Sequence, residues 1–247
     1  MRTLTKYTWI EIKLFLREPI GAFFTLLFPL MMLFLFGTIY GNDPSPYFNG
    51  YGTVDVSVPA YTAMIIGTTG IMGLTITMSA YREKGILRRL RATPLRPQVI
   101  LGGQVTVIFM MTAAGMLLLI LAGKLVYDLR FDGNPLSVAL AFVLSSLSFF
   151  SLGFVLASVM PNARIAQVVG MVIFYPMLFL SGAGLPLEML PEGVRKISDF
   201  LPLTHVVTLL RGMWTGDAWN QHFTEVIVLA SVLVVGVLIS AKTFRWE

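Results

Sequence analysis

The chain has 247 residues, of which 56% are hydrophobic and 13% charged, with a net charge of +5 and a mean hydropathy of +0.78. Soluble domains carry about 25% charged residues, so this chain has about half the usual solvating charge, and apolar runs long enough to cross a hydrocarbon core of about 30 Å recur along it. These features predict an integral membrane protein, and the absence of cysteine excludes disulfides, cysteine-ligated zinc and thiol nucleophiles.

The first eighteen residues read as an amphipathic arm. At roughly 100° per residue, Arg2, Lys6, Lys13 and Arg17 share a sector about 60° wide, while Glu11 and Glu18 lie opposite. Such a helix suits the membrane interface. Two readings stay open for it, simple lipid anchoring and an added protein contact through the acidic stripe. Glu11 and Lys13 interrupt the apolar character and no small-residue cleavage site follows, so the next apolar run reads as a retained span rather than a signal peptide.

About six transmembrane helices are predicted, near 20–40, 60–80, 99–126, 136–159, 165–181 and 222–242. Helices satisfy their own backbone hydrogen bonds in lipid, and the strict alternation of a transmembrane barrel is missing. The fold class is therefore an all-α integral membrane protein, a single domain over 1–247. Small residues at close-packing spacing, Gly67, Gly70 and Gly73 in the second span and Ser145, Ser148, Ser151 and Gly153 in the fourth, predict intimate helix contacts. Residues 41–58, rich in Gly, Pro, Asn and Tyr, read as an ordinary external loop.

The segment 81–97 is the least hydrophobic stretch. Arg82, Lys84, Arg88, Arg89, Arg91 and Arg96 stand there against one acid, Glu83. With the arm, Arg164, Lys242 and Arg245, thirteen of the eighteen Lys and Arg residues fall on one side of the six-span topology, which makes that side and both termini cytoplasmic. Glu83-Lys84-Gly85 precede Ile86, Leu87 and Leu90 on one side of a short helix, which Thr93-Pro94 and Pro97 end. Nucleic acid is a poor partner for so short a loop without interleaved stacking aromatics. Anionic lipid accounts for the charge, but not for the order of residues. A capped helix with an apolar ridge and a charged flank fits a protein groove.

Between the last two spans, 182–221 is too broken by glycine and proline for one helix. Val194, Ile197 and Leu201 mark the face of one short helix, and Leu203–Met213 a second, the pair folding back onto the outer leaflet.

No catalytic or metal-ligating constellation is predicted. His205 and His222 have no ligand-spaced partners. The spans hold only weak polar groups such as Gln104, Gln167, Thr68 and Thr69, not the mid-membrane acid of a proton-coupled transporter, and Glu225 lies near the start of the last one. Nothing matches a phosphate-binding loop, so nucleotide energy would have to come from another chain.

The order E-K-G-x-x-x-R-L-x-x-x-P-L, Glu83 to Leu95, resembles the cytoplasmic coupling segment of ABC-2-type permeases, the membrane domains of ATP-binding-cassette exporters. The Leu180-Ser181-Gly182 run, Pro186, Leu190-Pro191, Pro202-Leu203-Thr204 and Arg211 resemble that family's second signature, and the likeness to short bacterial drug-resistance permeases covers essentially the whole chain. The resemblance implies a half-transporter that pairs with a second copy or a paralogue. It would bind separate ATPase subunits, which hold ATP and Mg, and sit among lipids in the bacterial cytoplasmic membrane. It implies ATPase coupling through Glu83, Lys84, Gly85, Ile86, Leu87, Arg88, Arg89, Leu90 and Pro94; Lys6, Glu11, Lys13 and Arg17 belong to the interfacial arm, and Glu83 would link either to a basic group on the ATPase or to Lys13 or Arg17. It further implies a substrate path along the second and fifth spans at Thr68, Met72, Met171 and Phe174, and an outer gate at Gly182, Pro186, Pro191 and Pro202. The expected function is ATP-driven export of an amphipathic compound. Export of a polyprenyl-linked polysaccharide and a non-transporting scaffold or sensor are the alternatives.

Overall fold

In the computed structural model, which describes residues 19–91 and 97–243, the apolar runs form helices joined by short turns, and no strand occurs among the described residues. Nine helices are present there: α1 (19–40), α2 (Thr53–Glu83), α3 (Ile86–Arg91), α4 (Pro97–Tyr127), α5 (Pro135–Val159), α6 (Ala163–Leu180), α7 (Glu192–Ser198), α8 (Pro202–Thr215) and α9 (Phe223–Thr243). Six of them, α1, α2, α4, α5, α6 and α9, contain stretches long and apolar enough to cross a membrane. The predicted arm with Lys6, Glu11, Lys13 and Arg17, and Pro94 of the basic loop, lie outside the described residues.

Helix α2 is the axis of the bundle. It packs against α1, α4, α5, α6 and α8, and 72% of its apolar window is buried, against 11% for α9. Its small residues let neighbours approach to backbone contact. Gly70 meets the backbone of Phe149 on α5, and a β-carbon on Gly153 would overlap the Gly70 carbonyl. Gly67 receives the ring of Phe174 from α6, and Gly115 of α4 faces Ile65. At the centre, Thr68–Leu74 winds as a π-helix where α5 and α6 pack. The serine stripe of α5 turns the other way: Ser148 Oγ lies 2.7 Å from the Leu229 carbonyl and Ser151 Oγ 3.3 Å from that of Val232, joining α5 to α9. These are the close contacts that the small-residue spacing predicts.

The second helix starts at Thr53, inside the stretch that reads as an external loop. Its first turn is capped from a distance. Asn42 Oδ1 accepts from the amides of Val54 and Asp55 at 3.0 and 3.2 Å. Asp55 Oδ2 accepts from the Gly52 amide at 2.9 Å and Oδ1 from Arg130 N at 2.9 Å, while Asn42 Nδ2 donates to Oδ1 at 2.9 Å. Asp55 is therefore buried with its oxygens satisfied, as a charged group in such a place requires. The Asn42 cap is delivered from twelve and thirteen residues upstream, so only the Gly52–Asp55 bond is a local start signal.

The segment after α6 forms two short helices, with a different face buried from the one the spacing marks. Helix α8 is buried along most of its length against α2, α5 and α9. Helix α7 ends at Ser198, so Leu201 is not on it, and Ile197 remains 56% exposed. The buried member is Ser198, whose carbonyl accepts from Thr204 Oγ1 at 2.6 Å.

The α2–α5 contact makes a stability prediction. Gly153→Ala forces these backbones apart and lowers thermal stability by about 1–3 kcal/mol, as overpacking does. Gly102→Ala, where a β-carbon meets nothing within 4 Å, leaves it unchanged. Unfolding of both variants in lipid nanodiscs checks this, and equal midpoints would refute the close packing.

Candidate functional site

The basic end of the bundle is organised by the last turn of α2. Arg82 reaches the C-terminus of α5, where Nη1 donates to the Met160 carbonyl at 2.9 Å and Nη2 to that of Ala157 at 2.6 Å. The next residue, Glu83, reaches the N-terminus of α6, where Oε2 accepts from the Ala163 amide at 3.1 Å. Asn162 completes that cap by accepting from the Ile165 amide at 2.9 Å. A cation at a helix C-terminus and an anion at a helix N-terminus each match the local end of the macrodipole. Two adjacent side chains of α2 thus clamp both ends of the α5–α6 turn.

From this clamp the chain turns through Gly85, at φ 64°, into α3. Arg89 donates through its amide to the Gly85 carbonyl at 3.1 Å and through Nη2 to the Lys84 carbonyl at 2.9 Å, which fixes the short helix to its turn. Lys84, Arg88 and Arg89 are exposed and Ile86 is half-buried. Leu87 is fully buried, so it belongs to the chain's own packing, and among the described side chains of α3 the exposed ones are Arg88 and Arg89. Nothing is described for the side chain of Leu90.

Of the four residues on the second and fifth spans, Phe174 and Met72 make contacts across the α2–α6 seam. Phe174 is buried on Gly67, and Met72 packs beside Gly170. Thr68 is buried and donates to the Met64 carbonyl at 2.8 Å, one turn back in its own helix, while Met171 is half-buried. Within one chain this is a packed contact rather than an open channel.

At the opposite end, Gly182 takes φ 86°, and Pro186, Pro191 and Pro202 each open a short helical element. Two neighbouring cavities, of about 420 and 540 Å³, lie between this segment, the 41–52 loop and the start of α2. Arg211 and Glu188 form an ion pair at their junction, and the guanidinium stands 5.8 Å from the centre of the Phe48 ring. Burial, then the hydrogen bond that its hydroxyl donates to Asp132 Oδ2 at 3.1 Å, raises the Tyr51 phenol above its ordinary pKa. His222 lies with Nε2 3.1 Å from Asp217 and Nδ1 3.8 Å from Glu225. The two carboxylates face different ring nitrogens, and among the described residues no group is placed to hold a metal ion.

Sequence reasoning missed Arg82 as a contact residue, although an Arg-Glu pair ending an apolar helix is visible. It also missed the Asn42–Asp55 cap and the Asp217–His222 pair, because their meaning depends on tertiary neighbours.

Residues 3–214 match the family model described as ABC-2 type transporter. The chain belongs to the ABC-2 type transporter family. Among similar proteins, the daunorubicin resistance ABC transporter permease protein DrrB1 of Streptomyces coeruleorubidus is 26% identical over 94% of this chain and 81% of its own length. The probable multidrug ABC transporter permease YbhR of Escherichia coli K12 is 25% identical over 70% of this chain. Nodulation protein J of Rhizobium leguminosarum bv. viciae is 33% identical over 41% of this chain. The matched region spans 49% of YbhR and 39% of nodulation protein J.

In this ABC-2 chain the clamp has a local readout. Glu83→Ala removes the acceptor at the start of α6, a cap worth about 1 kcal/mol, and speeds exchange of the Ala163 amide roughly fivefold. Glu83→Gln, which keeps an acceptor oxygen, gives a smaller change. Hydrogen–deuterium exchange over 160–166 measures this, and identical exchange in all three proteins would remove Glu83 from the clamp.

Proposed function

We propose that the chain is the permease subunit of an ATP-driven exporter that moves an amphipathic compound out of the cytoplasm or inner leaflet. It works beside a second copy or a paralogue and with separate ATPase subunits that bind ATP and Mg. It resides in the bacterial cytoplasmic membrane with both termini and α3 in the cytoplasm. The relatives named for multidrug transport and daunorubicin resistance support the substrate class.

The observation that carries this reading is the reach of α2. Its 31 residues extend about 46 Å at about 1.5 Å per residue. One end carries the clamp and α3; the other carries Ser57 and Tyr61, which line both cavities. An ATPase that closes against the charged flank of α3 would move α2, α5 and α6 together. Glu83 then holds the moving turn, and Lys84, Arg88 and Arg89 meet the partner or the lipid surface. The seam of Thr68, Met72, Met171 and Phe174 is the part of the route that opens between α2 and α6. The segment with Gly182, Pro186, Pro191 and Pro202 is the gate above it.

The test is a reconstituted complex of the chain with its ATPase subunit, compared at matched subunit content with Arg82→Gln and Glu83→Ala. Wild type exports a fluorescent amphipathic dye on ATP addition, and the dye stimulates hydrolysis. Each variant stays inserted but loses about tenfold in dye-stimulated hydrolysis, the middle of the roughly 0.5–3 kcal/mol range for such contacts. Full stimulation and export in both variants would contradict coupling through the clamp, and a wild-type complex that moves no dye would contradict export.

A further inference from the structure

The larger cavity, of about 540 Å³, lies in the size range of small-molecule sites, roughly 300–1,000 Å³. It sits where the end of α1, the 41–52 loop, the start of α2 and the 184–188 turn converge. Five aromatic side chains line it: Phe36, Tyr40, Tyr47, Phe48 and Tyr61. Phe36 and Tyr40, one turn apart on α1, stack with centroids 6.1 Å apart and planes 12° from parallel. The polar lining includes two carboxylates, Asp43 and Glu188, and no described lining residue is basic.

The charge balance here is asymmetric. Glu188 pairs with Arg211, and Arg211 lines the neighbouring cavity but not this one. Asp43 makes no ion pair among the described residues. The site therefore combines one exposed, unpaired carboxylate at its rim with aromatic faces, and the ring of Phe48 already has a cation, Arg211, 5.8 Å from its centre. A ring face attracts a cation through its quadrupole, more strongly as water is excluded. A neutral amphipath gains nothing from Asp43, and an anion is repelled by it.

We propose that this cavity is a binding site for an amphipathic organic cation, a protonated or quaternary amine or phosphonium with apolar substituents. The apolar groups lie against Leu185, Pro186 and the rings, and the charge is held near Asp43. Binding here is a property of the chain alone. It deepens the export reading by naming a ligand class, yet the two fail in different experiments.

The experiment uses the full chain in zwitterionic-lipid nanodiscs without ATPase, with empty nanodiscs as the partition control. Equilibrium dialysis compares tetraphenylphosphonium with tetraphenylborate, ions of the same shape and opposite charge. Saturable binding is expected for the phosphonium only. Asp43→Asn weakens it about fivefold, and Tyr47→Ala, at a position 82% exposed, by a similar factor of about five. Met110→Ala, on the exposed face of α4 and outside both cavities, leaves it unchanged. Equal binding of both ions, no saturable binding, or phosphonium binding that ignores Asp43 and Tyr47 would each overturn the proposal. Loss of ATP-driven dye export in the complex, with phosphonium binding intact, would sink the export reading and leave this one standing.

Discussion

Backbone contact between α2 and α5, at Gly70 and Gly153, constrains the rest of the molecule. Association between helices in lipid gains little from hydrophobicity, because the tails are as apolar as leucine, and depends on close packing and hydrogen bonds instead. Glycine at both positions lets the two backbones touch. The threonine beside them adds a direct bond, Thr75 Oγ1 donating to the Gly153 carbonyl at 3.2 Å. With α5 held there, its serine face is free to take α9, and the remaining sides of α2 receive α1, α4, α6 and α8. The burial of α2 therefore follows from side chains that are small rather than especially apolar.

What happens at the two ends of α2 differs in kind. At the basic end, polar side chains grip helix termini, where the strength of each contact is modest and orientation matters more than energy. At the other end, α8 and the loops enclose aromatic cavities, where Asp55 is satisfied largely by backbone and Arg211 and Glu188 by each other, while Asp43 makes no ion pair among the described residues. Between them lies the π-helical turn of Thr68–Leu74, a helical form found preferentially at functional places. One helix thus connects a charged turn at one end with aromatic-lined cavities at the other.

The sequence makes the six spans, the small-residue contacts and the basic turn legible, because each depends on local pattern: apolar length, glycine and serine spacing, a cluster of arginines. The start of α2 is legible only in part: Asp55 caps Gly52 locally, but the cap from Asn42 and the bond to Arg130 N, seventy-five residues away, come from elsewhere in the chain. The face of α7 misleads for a related reason: the turn at Asp199–Leu201 breaks the helical period that groups Val194, Ile197 and Leu201. At the clamp, Glu83 stands out as the lone acid among bases, whereas its contact with Ala163 and the grip of Arg82 on α5 depend on the α5–α6 turn arriving beside them. Leu87 reads as part of a docking ridge from spacing alone, and only packing reveals that it is buried.

The central claim is that α2 moves as one rigid strut with the α5–α6 turn fixed to its basic end. Paired spin labels test it most directly in a complex of the chain with the proposed ATPase subunit, with and without trapped ATP. One pair, at Lys84 and Arg164, spans the clamp, and the other, at Tyr47 and Ile197, spans the opposite end; all four positions are exposed. The account predicts that the first distance distribution stays narrow and unchanged on ATP binding while the second shifts. A basic-end distance that changes while the far-end distance stays fixed would contradict it.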